Sequence, residues 1–473
     1  MDTVCGSPFH IPADTNAPKE HNTCVICFEA FHDRTVAPTV VKTHCGHRYD
    51  LSCVSRWFDE QQKKGVATRS CALCRQEALP LVRETGARLY EDSPYCEPLP
   101  LQAARTGDLK ALQRLLVLDP GIVHQTFRSA VSGEHTHLLL IAVQNGHTEF
   151  LKALIHAGAD PNAALTSDGA TPAFIAAREG HTECLKALID AKADPNAALT
   201  SDGATPALIA AENGHTECLR VLLDAGADPN AAQTSDGGTP TFIAAQNGHP
   251  ECLKALIDAG ADPNAALPFD GITPAFIATQ NGHPECLKVL IDAKADPNAA
   301  LTSDGATPVF IAVQMGYTEC LKVLIDAKAD PNAARTSDGA TPVYIAAQEG
   351  HTECLKALIE AKADLNAALT SDGTTPAFIA ACNGHTECLK ALIDAGADPN
   401  AARTSGATPM YIAAQEGRTE CLKVLIDAKA NPNAARTSGA TPVYIAACNG
   451  NTECLKALID AGAGLTYVTA RES

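Results

Sequence analysis

The chain has 473 residues, with 36 Lys+Arg against 55 Asp+Glu for a formal charge of −19, and it holds 19 cysteines but one tryptophan. Aromatic residues make up 4% and apolar residues 45%, so the core has to be built from Ala, Leu, Ile and Cys, which argues against a β-sandwich rich in β-branched and aromatic side chains. The first 97 residues hold 11 basic and 13 acidic side chains, leaving 25 basic and 42 acidic for the remainder; so acidic a body repels nucleic acid and anionic lipid.

The opening MDTVCGSPFHIPAD lacks the basic and apolar regions of an export signal, and no run of about 18 apolar residues predicts a membrane span. Cysteines without an export signal read as thiols or metal ligands rather than disulfides. This predicts a cytoplasmic or nuclear protein. At roughly 100 to 200 residues per domain the length allows two to four domains.

In chain order, residues 1–20 read as a flexible N-terminal tail. Residues 21–77 hold a cluster of metal-ligand type: Cys24-x2-Cys27, Cys45-x-His47, Cys53 and Cys71-x2-Cys74. A CxxC turn presents both sulfurs to one tetrahedral Zn²⁺. These seven ligands are one short of two closed sites, and Asp50 is the carboxylate placed to complete them, with His44, on the other side of Cys45, as the alternative.

This order resembles the RING finger, a cross-braced fold around two Zn²⁺ ions. The resemblance implies a first site of Cys24, Cys27, Asp50 and Cys53 and a second of Cys45, His47, Cys71 and Cys74; the RING-H2 form has His where Asp50 stands. It also implies ubiquitin-ligase activity without a covalent enzyme intermediate, in which a ubiquitin-loaded conjugating enzyme is held in a reactive pose. Ile26, Trp57 and Leu73 would form the groove for that enzyme, and Arg75 the cationic bridge between it and ubiquitin. Ala72 departs from the Pro common in ligases. The competing reading is a zinc-stapled fold without activity, since a domain of about 55 residues approaches the limit of what a core holds without metal. Ile26, Trp57 and Arg75 go beyond stapling. Cys5, Cys96, Cys382 and Cys448 lie outside the clusters, with no catalytic domain around them to support a covalent-intermediate ligase.

Residues 78–97 read as a linker. From about 98 to 470 the chain repeats: DGATPAFIAAREGHTECLKALIDAKADPNAALTS begins at Asp168 and returns every 34 residues through Asp372, then every 33, with diverged copies near Glu134 and Pro98. That makes about eleven units. Thr171-Pro172 provides an N-cap hydroxyl and a first-turn proline, and Gly180 a left-handed C-cap. A second helix starts near Thr182, where other units place Pro250 and Pro284, and aligns Leu185, Leu188 and Ile189 on one face. Asp194-Pro195-Asn196 and Ser167-Asp168-Gly169 form the turns. Helix pairs this short cannot bury their faces alone and must stack.

The repeat resembles the ankyrin family, with its period of about 33 and its T-P-L-H-x-A signature. The resemblance implies a mostly α solenoid. The family histidine is replaced by Phe174, Leu208, Phe242, Phe276, Phe310, Tyr344, Phe378, Tyr411 and Tyr444. In an acidic array this ladder reads as core rather than a stacking platform for bases. Cys184, Cys218, Cys252, Cys286, Cys320, Cys354, Cys388, Cys421 and Cys454 read as small buried hydrophobes. The histidines of the Gly-His pairs, such as His181 and His215, read as turn and packing residues. One position in the second helix's cap alternates between Gly158, Gly226, Gly260, Gly396 or Gly462 and Lys192, Lys294, Lys328, Lys362 or Lys429. A left-handed backbone there would be strained by Lys.

The functional expectation is a RING-type ubiquitin ligase whose partners are a conjugating enzyme, ubiquitin and a substrate protein selected by the array. A non-enzymatic scaffold with a decayed RING is the alternative. Positions that vary in ankyrin arrays to suit a target are uniform here, as in Gln246-Asn247 and Gln280-Asn281, which reads as recent duplication. The last unit is built like an interior one, which predicts cover by Leu465 to Val468 or self-association.

Overall fold

The structure is a computed structural model in which residues 40–42, 48–50, 82–83, 99–128, 135–165 and 167–464 are described. Among them are 22 α-helices, arranged as eleven consecutive pairs. The fold is mostly α, an ankyrin solenoid, with the cysteine cluster N-terminal to it.

Each pair is built from local chemistry. Thr171 takes an extended backbone, and its hydroxyl accepts from the Phe174 N–H at 3.2 Å, so that Pro172 opens the helix Pro172–Glu179. An N-cap of this kind contributes about 1 kcal/mol. Gly180 ends the helix at φ 75°, and the His181 N–H reaches back to the Ala176 carbonyl at 2.9 Å. The second helix, Thr182–Asp190, buries Cys184, Leu185 and Leu188. Ile189, expected on the same face, is half-buried because it lies in the last turn at the rim of the stripe.

The second helix closes in a Schellman motif: the Ala193 N–H bonds the Leu188 carbonyl and the Lys192 N–H the Ile189 carbonyl, both at 2.9 Å. This geometry requires a left-handed residue. Lys192, Lys294, Lys328, Lys362 and Lys429 adopt φ of 58° to 70°, and the corresponding glycines 82° to 97°. A Cβ added at Gly260 would meet nothing within 4 Å, so the lysines bear backbone strain without any clash.

The chain divides into two compact units, Met1–Ser201 and Asp202–Ser473. In the first, three helix pairs follow the cysteine cluster, and the second pair is entered differently from the others. Between Leu109–Leu118 and Leu138–Gln144 the chain makes a 3-10 turn, Pro120–His124, capped by Asp119. An antiparallel hairpin follows, β4 (Thr126–Arg128) with β5 (His135–His137), in register Thr126↔His137. Phe127 of this hairpin is buried. Sequence periodicity gave no sign of it.

In the second compact unit eight pairs run from Pro206–Glu212 to Thr452–Asp460. Neighbouring pairs are tied by side chains that satisfy each other's turns. The Asp296 N–H donates to Asn264 Oδ1 at 2.8 Å, and the Thr336 N–H and hydroxyl both reach the Asp304 carbonyl at 2.7 Å. The ladder cysteines are buried free thiols. Thr318 Oγ1 lies 3.4 Å from Cys354 Sγ, and the same pairing recurs between Thr352 and Cys388. Burial pushes these thiols up, and the threonine hydrogen bond offsets part of the effect. Proline replaces that threonine at Pro250 and Pro284, and burial takes Cys286 up to about 12 and Cys320 to about 11.

The final pair ends among described residues at Gly464 with Tyr444 42% exposed, whereas Phe276, Phe310, Phe378 and Tyr411 at the same position are buried. Leu465 to Val468 lie outside the described residues. One interior defect stands out: Thr241 is fully buried and its hydroxyl has no hydrogen-bond partner. The equivalent residues Ala207 and Ala275 carry no hydroxyl.

Three outcomes follow. Thr241→Val should raise the stability of the chain by about 1 kcal/mol, measured by urea unfolding, because it removes an unsatisfied buried hydroxyl at nearly constant volume. Lys294→Gly should stabilise by about 0.5 to 1 kcal/mol, the relief of a left-handed side-chain residue less the extra chain entropy of Gly. Burial holds the Cys286 and Cys320 thiols above the thiol value of about 8.5 in the unfolded chain. Their contribution to stability is therefore complete below that pH and is lost as pH rises toward the folded values. Maleimide labelling at about pH 9 should accordingly modify exposed Cys448 and spare Cys286 and Cys320, as read by peptide mass mapping.

Candidate functional site

The cysteine cluster is represented among the described residues by backbone strands. β1 (Val40–Lys42) pairs antiparallel with β2 (Arg48–Asp50) in register Val40↔Asp50, Val41↔Tyr49 and Lys42↔Arg48. On its other side it pairs with β3 (Val82–Arg83) through Val41↔Arg83 and Lys42↔Val82. The order is β2-β1-β3, so a strand within residues 78–97, read from sequence as linker, joins the sheet of the zinc-ligand region.

Asp50 is the last residue of β2, opposite Val40, at the end of the hairpin away from the chain reversal between Lys42 and Arg48. Cys45 and His47 fall between Lys42 and Arg48 in sequence, outside the described residues. Six thiols, one imidazole and one carboxylate form a donor set that fits zinc. Cys24, Cys27, Cys45, His47, Cys53, Cys71 and Cys74 lie outside the described residues, as do His44, Ile26, Trp57, Leu73 and Arg75.

Among the described residues of the array, no group of three His, Cys, Asp or Glu side chains is placed to hold a metal. The Gly-His pairs have another use. A Cβ on Gly248, at φ 76°, would lie 2.7 Å from the ring of His283 in the next unit. His283 Nε2 lies 3.2 Å from the Gln246 carbonyl, which also accepts from Asn281 Nδ2 at 2.8 Å. His385 and Asn383 use the Gln348 carbonyl in the same way, at 3.0 and 2.9 Å. This carbonyl belongs to the last turn of a first helix, where no intrahelical donor remains. At two of the units where the histidine is replaced other donors serve: Arg418 Nε reaches the Cys382 carbonyl at 3.1 Å, and Asn451 Nδ2 the Gln415 carbonyl at 2.9 Å; at Tyr317 the ring covers Gly282 instead.

Asparagines before the Gly-His pairs thus tie neighbouring units at Asn247, Asn281 and Asn383, which gives a structural reason for their recurrence. They are exposed at Asn247, Asn281 and Asn383, so the surface they present is itself repetitive. The aromatic ladder is core, as expected: Phe242, Phe276, Phe310 and Tyr344 are buried.

Sequence reading missed three arginines. Arg335, Arg403 and Arg436 stand where other units carry Leu301 or Leu369, and each guanidinium lies over the first-helix ring of its own repeat, Phe310, Phe378 and Tyr411, at 5.0 to 5.3 Å. Such cation–π contacts contribute about 0.5 to 1 kcal/mol at partly exposed sites. The substitution of Arg for Leu at a fixed repeat position was the available signal. The Arg335 guanidinium holds the Asp338 carboxyl below the usual carboxylate range. Elsewhere the second helices carry exposed Glu–Lys pairs one turn apart, such as Glu319–Lys322 at 2.8 Å, which add little stability. No helix among the described residues is long and apolar enough to cross a membrane.

Comparison with protein families gives two matches. A family model described as ankyrin repeats (3 copies) matches residues 101–199, 196–266, 241–335, 329–403 and 396–468. A second, described as Ring finger domain, matches residues 22–75. No curated protein matches the chain in a search of such sequences. The chain belongs to the ankyrin-repeat family, and it carries a RING finger domain ahead of its repeats.

Proposed function

We propose that the protein is a RING-type ubiquitin-protein ligase that recruits a ubiquitin-loaded conjugating enzyme through its zinc finger and a substrate protein through its repeats. The observation that carries this reading is the fusion itself: a RING finger match over residues 22–75 on the same chain as a repeat array. The residues Ile26, Trp57, Leu73 and Arg75 support it further, because a structural zinc staple has no need of an apolar groove and an adjoining cation.

Cys24, Cys27, Asp50 and Cys53 would hold one Zn²⁺ and Cys45, His47, Cys71 and Cys74 the other. Zinc supplies folding free energy here rather than reaction chemistry. Ile26, Trp57 and Leu73 take an apolar loop of the conjugating enzyme, and Arg75 donates hydrogen bonds to carbonyl groups of both the enzyme and ubiquitin. The thioester is thereby confined to conformations from which a substrate lysine attacks. A tethered substrate is present at high effective concentration. The acidity of the array favours a substrate with a basic surface, and the density of free thiols suits a reducing compartment, cytoplasm or nucleus.

The second reading, a non-catalytic scaffold, is favoured by Ala72 and by Asp50 in place of a histidine. Incubation of the full chain with activating enzyme, a panel of conjugating enzymes and ubiquitin separates the two. Discharge of the thioester should fall about 10- to 100-fold in Arg75→Ala, the loss of charge-assisted hydrogen bonds of roughly 1.5 to 3 kcal/mol. Metal analysis should find two zinc ions in the wild type and one in Asp50→Ala. Absence of Arg75-dependent discharge across the panel would leave the scaffold as the correct description.

A further inference from the structure

The three arginines that replace Leu differ in their supply of counter-ions. Arg335 donates from Nε and Nη2 to Asp338 Oδ1 and Oδ2 at 3.1 and 2.6 Å, within its own loop. It is also within electrostatic reach of Asp304, the loop residue 31 positions earlier. Arg403 has no aspartate in its own loop, which reads Thr404-Ser405-Gly406, and pairs instead with Asp372, again 31 positions earlier. Arg436 has neither. Its own loop reads Thr437-Ser438-Gly439, and the residue 31 positions earlier is Ser405. The Nε of Arg436 is buried without a hydrogen-bond partner, beneath a guanidinium that rests on Tyr411.

Ser405 occupies the place that Asp372 holds one unit earlier. The Thr404 N–H and hydroxyl bond the Asp372 carbonyl at 2.9 and 3.2 Å, and the Thr437 N–H and hydroxyl bond the Ser405 carbonyl at 3.0 and 3.1 Å. Each is followed by a left-handed glycine, Gly373 at φ 72° and Gly406 at φ 76°. The backbone of Arg436 passes so near Gly406 that a Cβ there would lie 3.2 Å from its Cα. A hydroxyl therefore stands where the preceding loop has a carboxylate, next to a guanidinium with an orphaned donor.

We propose that Ser405 is a phosphorylation site and Arg436 the receptor for the phosphate. The co-reactants are ATP and an arginine-directed protein kinase, for which Arg403 stands two residues before the target. Ser405 Oγ attacks the γ-phosphorus, a new O–P bond forms, the bond from that phosphorus to the β,γ-bridging oxygen breaks, and ADP leaves with the electron pair while the hydroxyl proton passes to the kinase's base. The product carries a charge near −2 and three acceptor oxygens, enough to pair with the Arg436 guanidinium in the geometry that favours bidentate recognition. The modification ties the last two helix pairs of the array together, as Asp372 and Arg403 tie the two before them. Ser405 is partly exposed. Ser438 has the same Arg-Thr-Ser context but Thr469 at the position 31 residues on, so it serves as an internal control.

The test uses the full chain, phosphorylated with ATP and an arginine-directed serine kinase, mapped by tandem mass spectrometry and titrated by ³¹P NMR. The expected result is phosphate on Ser405 whose second ionisation falls at least half a unit below the phosphoserine value of about 6 and returns to it in Arg436→Gln. A kinase-independent arm compares Ser405→Asp with Ser405→Asp/Arg436→Gln. The single variant should unfold at a temperature higher than the wild type by about 1 to 3 °C, and the double variant should not. Modification confined to Ser438, a phosphate ionisation indifferent to Arg436, or equal unfolding temperatures of the single and double variants would each overturn the assignment.

Discussion

Everything in the array depends on the shortness of its helices. First helices of seven or eight residues and second helices of nine or ten are well below the length at which a helix persists alone in water. In so short a helix a large share of the peptide groups lies in the end turns, without intrahelical partners. The sequence answers at both ends: threonine hydroxyl and proline at the start, left-handed glycine at the finish. What the unit cannot satisfy internally, the next unit supplies, through His283 and Asn281 on the Gln246 carbonyl and Asn264 on the Asp296 amide. Burial of Cys, Leu and an aromatic from each unit provides the driving force, and these polar bonds fix the register in which it is realised.

The same constraint explains which residue types are free to change. At the left-handed cap, Lys and Gly alternate because the added side chain points into open space and only the backbone is strained. At Gly248 the left-handed angle is joined by an imidazole 2.7 Å from where a Cβ would sit, and glycine is the residue at the equivalent position in every unit from Gly107 to Gly450. The His position opposite tolerates Arg418 and Asn451 because each still brings a donor to the orphan carbonyl. Chemistry, rather than residue identity, is what the position demands.

Unit boundaries and helix order were legible in the sequence because Thr-Pro, Gly-His and Asp-Pro-Asn act locally, through hydrogen bonds spanning two to five residues. The burial of the Cys and aromatic ladders was legible for the same reason, since helical spacing decides which face is apolar. Features set by partners 25 or more residues away were not. The double acceptance at the Gln246 carbonyl, the stacking of Arg335 on Phe310 and the dependence of Arg403 on Asp372 require the register of the stack, which one unit's sequence does not contain. The β4–β5 hairpin was missed because its strands are three residues each, too short to establish an alternating pattern. In the zinc-ligand region the ligand spacing lies in the sequence itself, and the structure adds the strand register that sets Asp50 opposite Val40.

Because most of the donors and acceptors recur from one 34-residue unit to the next, a junction made by deleting one such unit joins groups of the same kind as the junction it replaces. Asn264 meets the amide of the aspartate that opens Asp-Pro-Asn, and His283 meets a first-helix carbonyl, whichever copy provides it. Interior units are therefore interchangeable parts, and the array can gain or lose length in whole steps without any new interface having to be evolved. Its reach, measured from the zinc finger, is then a heritable variable that changes independently of its chemistry.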